Sequence, residues 1–198
     1  MANPFDLVHE FEKQIAEYTG APYAIATDCC THALYMCLYY EKKRTGILDV
    51  VLPNNTYVSA AMQCKHVGLD IEFEQYDWEG AYTIGGTRIV DSAPRLRRGC
   101  YQLGMLQCLS FQFKKILSTI KGGMILTNNE KSYNWLKLAS TKYDKVGEMG
   151  FLNNRKFITY LSLLHVALIR ELPQEITPIL VKVLKLMQAL ALLGLNLL

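Results

Sequence analysis

Hydrophobic and polar residues follow one another along the first two thirds of the chain in a pattern that predicts helices and strands in turn. Apolar side chains recur at helical spacing over residues 5–18, 32–43, 57–66 and 129–142. Short apolar runs predict strands over residues 23–27, 49–52, 70–73, 87–90, 108–111 and 123–127. This alternation predicts the α/β class, with a mixed, mostly parallel sheet flanked by helices.

The end of the chain has a different pattern. The composition shifts near residue 147, which predicts a large domain over 1–146 and an atypical, helical, leucine-rich tail over 147–198. Residues 179–193 are apolar on nearly every side of a helix, so we expect another surface to cover them. Lys182 and Lys185 would each cost about 2.5–3.5 kcal/mol near the centre of a bilayer. Burial against protein is therefore favoured over a membrane span.

Composition narrows the class of protein. The chain has 198 residues, of which 51% are hydrophobic and 20% are charged, and this composition excludes a disordered protein. The net charge of +3 argues against a dedicated nucleic-acid binder, because such proteins usually carry a strongly basic face.

The cysteines and the N-terminus suggest a compartment. Six cysteines, at 29, 30, 37, 64, 100 and 108, show no C-x-x-C spacing, so no metal site is predicted. Residues 1–13 are charged and amphipathic and have no apolar core, which is not the pattern of a secretory signal. We therefore expect reduced thiols and a cytoplasmic location.

Polar groups lie at the ends of several predicted strands, where α/β proteins usually bind ligands. The turn at 28–31 opens a helix whose free backbone N–H groups suit an anion, and Thr31 is a candidate N-cap. The other candidates at strand ends are Tyr57, Asp91, Ser110 and Lys115. Taken singly, each has an ordinary structural interpretation as a cap, a packing aromatic or a solvated lysine. Their order along one α/β pattern favours a common site.

Four blocks within residues 11–144 resemble the large domain of the DegT/DnrJ/EryC1/StrS aminotransferases. They lie at 11–34, 50–68, 88–94 and 108–129, in the order and at the spacing of that family. The most specific is the last, which reads S-F-x-x-x-K from Ser110 and ends in G-G-M-x-x-T-N. The resemblance implies a fold-type-I enzyme that uses pyridoxal phosphate (PLP).

The resemblance also implies roles for individual residues. Lys115 lies where the family has its Schiff-base lysine, and the adjacent charge of Lys114 would favour loss of the Lys115 proton. Asp91 lies where a carboxylate pairs with the pyridinium nitrogen. The other implied cofactor contacts are Cys30, Thr31 and Ser110 at the phosphate and Tyr57 stacked on the ring.

Some positions depart from the family pattern. Cys30 stands where a small residue is usual, and Pro94 stands where a Gln or His touches the phenolic oxygen of the cofactor. Arg95, in an arginine-rich loop, either is solvated or binds an anionic substrate. Family members are about twice as long, and residues 145–198 do not resemble their C-terminal part, so the tail is a truncation, an altered reading frame or a closing helix of a short subunit.

The implied function is transamination from an amino-acid donor to a keto group, typically of a nucleotide-linked sugar, in a homodimer. A non-catalytic remnant or assembly subunit is the alternative, because the small domain is missing. A Rossmann-type dinucleotide binder is disfavoured, because no G-x-G-x-x-G follows any predicted strand.

Overall fold

The computed structural model describes residues 6–119 and 121–141. The helices are α1 (Asp6–Thr19), α2 (Cys30–Thr45), α3 (Val58–His66) and α4 (Glu130–Thr141). The strands are β1 (Tyr23–Thr27), β2 (Asp49–Pro53), β3 (Asp70–Glu74), β4 (Tyr82–Thr83), β5 (Ile89–Asp91), β6 (Leu106–Ser110) and β7 (Gly123–Thr127). The predicted tail at 147–198 lies outside the described residues.

The strands form a mixed sheet. Five of them lie in the order β1-β7-β6-β5-β4, in which β5 and β6 are parallel while β7 runs against both β1 and β6. Strands β2 and β3 form a separate parallel pair, which a bridge between Val51 and Gly85 joins to the larger sheet. A Cβ on Gly85 would lie 2.6 Å from that of Val51, so only glycine permits this approach. The predicted mixed α/β class is confirmed.

The directions of the strands bring the ends of several strands to one edge of the sheet. Strands β1, β5 and β6 run the same way, so Thr27, Asp91 and Ser110 end at one edge of the sheet. Strand β7 runs the opposite way and begins at that same edge with Gly123. Residues far apart in sequence therefore meet at this edge.

Helix α2 packs across the middle of the sheet and fills the core. Leu34, Cys37 and Leu38 on its inner face are buried against strand residues that include Ile25 and Ile125. Burial of these apolar side chains stabilises the packing of α2 on the sheet, and this packing fixes the position of its first turn.

Most predicted elements are present within a few residues of their expected limits, but the expectation that Thr31 caps α2 is wrong. The N-cap is Cys29, and it makes no side-chain capping hydrogen bond. The Cys29 carbonyl oxygen accepts from Thr27 Oγ1 at 3.0 Å and from the N–H of Ala33 at 3.1 Å, so the helix begins one residue later, at Cys30. Strand β4 is an additional element that the sequence pattern does not predict.

No helix among residues 6–119 and 121–141 has the length and apolar character needed to cross a bilayer.

Candidate active site

The turn between β1 and α2 forms one wall of a cavity at the sheet edge. Gly123 lies flat against this turn, since a Cβ there would come within 2.4 Å of the Cys29 carbonyl carbon and 2.6 Å of the Cys30 nitrogen. The first N–H groups of a helix have no partner within it, and Cys29 supplies no side-chain cap. Cys30 and Thr31 line the cavity, so the helix N-terminus there is suited to an anion.

The thiol of Cys30 is buried beside this anion site. Burial, reinforced by the charge of Asp91, raises the pKa of Cys30 well above its ordinary value. The side chain therefore stays neutral at physiological pH and adds no negative charge that would repel a bound phosphate.

Asp91 ends β5 at the floor of the cavity. Its side chain is buried; Oδ1 accepts from the backbone N–H of Ala93 at 3.0 Å, and Oδ2 accepts from the hydroxyl of Tyr82 at 3.1 Å. Burial raises the pKa of Asp91, while the two hydrogen bonds and the charge of Lys115 lower it; burial has the larger effect. A cationic ring nitrogen at this position would favour the charged form further.

Ser110 and Lys115 follow β6 on another wall. The backbone N–H of Lys115 donates to the Gln112 carbonyl at 2.8 Å, in a tight turn that brings the side chain of Lys115 to the cavity. Ser110 is buried at the end of the strand, and its Oγ accepts from the N–H of Gln112 at 3.4 Å. Lys114 is more exposed than Lys115, and its amine lies 5.4 Å from the ring centre of Phe113.

Tyr57 lies at the mouth of the cavity. It is the N-cap residue of α3, at the end of the loop that follows β2, and 72% of it is exposed. Its ring lines the cavity and is accessible to a ligand that enters from solvent.

These residues surround one cavity of about 270 Å³. Six of the seven predicted site residues line it: Cys30, Thr31, Tyr57, Asp91, Ser110 and Lys115. Pro94 is also in the lining, where it offers no side-chain hydrogen-bond donor.

Arg95 does not line this cavity. Its Nη1 donates to the Glu79 carbonyl oxygen at 3.0 Å, and its aliphatic carbons pack against Gly80. In this conformation Arg95 ties two loops together, and its role in substrate binding stays a prediction.

Three further side chains near Asp91, those of Tyr82, Trp78 and Thr56, were not predicted from the sequence to belong to the site. Tyr82 donates to Asp91, its hydroxyl lies 2.5 Å from Thr56 Oγ1, and its ring lies 4.9 Å from that of Trp78. Trp78 donates in turn to Asn55 Oδ1 at 2.7 Å. The antiparallel pairing of β4 with β5, which places Tyr82 opposite Asp91, is what brings these groups to the site.

A charged cluster lies beside the anion site. His32 is paired with Asp28, and Lys121 Nζ lies 3.5 Å from the other carboxylate oxygen of Asp28. Burial lowers the pKa of His32, but hydrogen bonds with Asp28 and Cys29 raise it more, to about 9. One carboxylate therefore faces two cations, and the excess positive charge favours an anion nearby.

A larger, more open cavity of about 510 Å³ lies beside α1, β1 and α4. It contains none of the predicted site residues. An ion pair between Glu12 and Lys137 lies in its wall, and Glu12 also accepts from the backbone N–H of Ala26 at 2.8 Å. These contacts hold α4 against β1, so we interpret the cavity as structural.

The first part of the chain matches a known family. Residues 2–80 match the model of the DegT/DnrJ/EryC1/StrS aminotransferase family, in agreement with the resemblance seen in the sequence. A comparison with curated protein sequences finds no match.

Solved structures share the fold. DesI with its TDP-sugar product is 18% identical, with a TM-score of 0.56 over 71% of this chain and 45% of that one. The aminotransferase of Psychrobacter cryohalolentis is 18% identical, with a TM-score of 0.56 over 68% and 45%. A GDP-4-keto-6-deoxymannose-3-dehydratase with a trapped PLP-glutamate geminal diamine is 16% identical, with a TM-score of 0.55 over 68% and 47%.

The chain thus spans less than half the length of these structures. The similarity establishes the fold-type-I aminotransferase fold for the part that is matched.

Proposed function

We propose that this chain is the cofactor-binding part of a PLP-dependent aminotransferase. The observation that carries the proposal is that the amine of Lys115 and the carboxylate of Asp91 line the same cavity, next to the N-terminus of α2. An amine, a carboxylate and an anion site in one cavity are the three groups that PLP requires.

The residues present fit this cofactor. The first turn of α2, with Cys30 and Thr31, and the hydroxyl of Ser110 would hold the phosphate. Asp91 would pair with the ring nitrogen, and Tyr57 would cover the face of the ring at the mouth. The close contact between Gly123 and the Cys29–Cys30 peptide supports this fit, because it holds the phosphate turn rigidly.

Each protein group has a chemical task. PLP, when bound, supplies an electron sink that stabilises negative charge on the carbon next to the amine. The Asp91 carboxylate would keep the ring nitrogen protonated. The Lys115 amine would attach the cofactor and, once released from it, would move the proton between the α-carbon of the substrate and the cofactor carbon that takes up the amino group. The buried floor around Asp91 excludes water and strengthens these charge interactions.

For the reaction we propose transfer from an amino-acid donor to a keto group, typically of a nucleotide-linked sugar. The TDP-sugar product bound to DesI and the glutamate adduct in the dehydratase support these two substrate classes. A lysine at position 115 supports transamination over the dehydration reaction, because relatives that dehydrate carry histidine there. We further propose a homodimer and a cytoplasmic location.

A second candidate is a catalytically impaired remnant or assembly subunit. One observation favours it: Pro94 lines the cavity and offers no side-chain donor for the cofactor. Such a protein would retain the scaffold and lack turnover.

The two candidates can be separated with the purified protein mixed with PLP. We expect visible absorbance, and borohydride reduction should attach the cofactor to the peptide that contains Lys115, as read by mass spectrometry. The Lys115→Ala variant should lose both signals. The neighbouring Lys114→Ala variant is the matched control and should keep them.

Colourless protein after incubation with PLP would refute cofactor binding and favour the assembly subunit. Labelling at Lys114 instead of Lys115 would contradict the assignment of the reactive amine. Colour and labelling at Lys115 without turnover of any amino donor would identify the impaired remnant.

A further inference from the structure

A chain of hydroxyl groups connects the loop after β2 to the carboxylate of Asp91. The Tyr82 hydroxyl lies 3.1 Å from Asp91 Oδ2 and 2.5 Å from Thr56 Oγ1. Tyr82 is 5% exposed, and its ring contacts that of Trp78. The hydrogen bond to Asp91 is buried, so water has little access to replace it, and the bond to Thr56 is partly buried.

The direction of these hydrogen bonds follows from the charge of Asp91. An ionised carboxylate only accepts, so the single proton of the Tyr82 hydroxyl must point to Asp91. The oxygen of Tyr82 is then an acceptor, and Thr56 must donate to it. The chain Thr56–Tyr82–Asp91 is thus polarised toward the carboxylate, and each bond strengthens the next.

This arrangement leaves Asp91 free to bind a ligand. Oδ1 accepts from Ala93 and Oδ2 accepts from Tyr82, and each oxygen has a second lone pair. Since Asp91 also lines the cavity, a lone pair remains available to a donor that enters it.

We propose that Tyr82 is a positioning residue, which holds the Asp91 carboxylate ionised and correctly oriented for the ring nitrogen of PLP and which depends on Thr56 to do so. This inference rests on the proposed function for its ligand, but the hydrogen-bonded chain itself is a property of the apoprotein. Thr56 is next to Tyr57, so the same chain also fixes the loop that carries the ring-covering tyrosine.

The electrostatics of the site supports this role. Burial raises the pKa of Asp91, and the hydrogen bond from Tyr82 is one of the interactions that lower it. The other ionisable groups that act on or near Asp91 are Lys115, Cys30 and Cys108. Burial keeps both thiols neutral, which leaves Lys115 and Tyr82 as the side chains that oppose protonation of Asp91.

The test compares variants by their affinity for PLP across pH. Tyr82→Phe removes only the hydroxyl and should weaken PLP binding about three- to tenfold, the range expected for one buried hydrogen bond. The acid limb of the affinity profile should also move to higher pH, because Asp91 gains its proton more easily. Thr56→Val should act in the same direction, and Thr56→Ser, which keeps the hydroxyl, should restore the wild-type profile.

Tyr101→Phe is the matched control. It also removes a phenolic hydroxyl with hydrogen-bond partners, to the Met105 carbonyl and to Asn128, at a distance from this site. It should leave both the affinity for PLP and the acid limb unchanged. An unshifted acid limb in Tyr82→Phe, or an equal shift in Tyr101→Phe, would overturn the positioning role.

A second readout does not need PLP. The contribution of Asp91 to the stability of the apoprotein in urea, read as the difference between the wild type and Asp91→Asn, should fall as pH rises through the range in which Asp91 ionises, and Tyr82→Phe should extend that fall to higher pH. In an Asp91→Asn background Tyr82→Phe should cause no such shift. If the wild type does not bind PLP but the apoprotein shows these pH shifts, the proposed function is refuted and the role of Tyr82 stands. If the apoprotein shows no such shifts, the role of Tyr82 itself is refuted. If Tyr82→Phe does not fold, Thr56→Val supplies the same comparison.

Discussion

At Asp91, two hydrogen-bond donors and a nearby ammonium group oppose the effect of burial. The balance still favours the protonated form more than in water, so the raised pKa means that the ionised carboxylate costs folding stability. A carboxyl group held in this way is typical of a functional site, where stability is given up for ligand binding.

The first prediction concerns the substitution Asp91→Asn. An amide can still accept from Ala93 and can donate to the Tyr82 oxygen, so the fold should remain. Removing the buried charge should raise the free energy of unfolding at neutral pH by about 1 kcal/mol. The affinity for PLP should fall at least about tenfold, because the partner of the ring nitrogen is lost.

Urea unfolding and PLP titration of the same two proteins check this prediction. The sign with pH follows from the raised pKa of Asp91: its contribution to the stability of the wild type falls as pH rises from the ordinary value through the raised one. The advantage of the variant should therefore be present above that range and vanish below it. A variant that loses stability at neutral pH while keeping its affinity for PLP would contradict the assignment.

At the scale of elements, the site depends on how closely the start of β7 approaches the start of α2. The sequence marks both elements, and their apolar patterns predict them within a few residues. It contains no signal that Gly123 lies against the peptide between Cys29 and Cys30. That contact arises because β7 pairs with both β1 and β6 and so passes beneath the turn.

The second prediction is that Gly123→Ala damages the phosphate turn. The added Cβ would lie 2.4–2.6 Å from backbone atoms that cannot rotate away, so we expect a loss of about 1–3 kcal/mol or more. Gly104→Ala is the control: it strains a backbone with φ of +84° at a cost of about 1–2 kcal/mol, but its Cβ meets no atom within 4 Å.

The two variants differ in what accompanies the loss of stability. Both should melt earlier than the wild type, but only Gly123→Ala should also weaken PLP binding, since only it displaces the anion site. Equal affinities for PLP in the two variants would show that the turn does not hold the cofactor.

At the scale of the whole molecule, helix α2 contributes both to the hydrophobic core and to the cavity at the edge of the sheet. Leu38 on the inner face of α2 is fully buried, while the first turn of the same helix lines the cavity. The position of the anion site is therefore coupled to how well the core packs.

The third prediction is that Leu38→Ala destabilises the protein by about 2–5 kcal/mol, the range for a cavity left by a buried leucine. Leu103, which is 81% exposed, provides the control, and Leu103→Ala should change stability by less than about 0.5 kcal/mol. Thermal unfolding monitored by circular dichroism measures both. Similar melting temperatures for the two variants would mean that α2 does not pack as described.

The sequence by itself determined the class of the fold, the approximate limits of most elements and six residues of the cavity. Local patterns suffice for these features. Helical and strand periodicity can be seen in residues that are close together in the sequence, and the candidate site residues directly follow predicted strands. Only the tertiary structure decided that Tyr82 and Thr56 belong with Asp91, that Arg95 contacts a loop instead, and that Cys29 caps α2. The first two depend on contacts between segments that are separated in sequence, and no local pattern encodes which separated groups such contacts bring together. The start of α2 depends on the conformation of the turn that follows β1, which Thr27 stabilises.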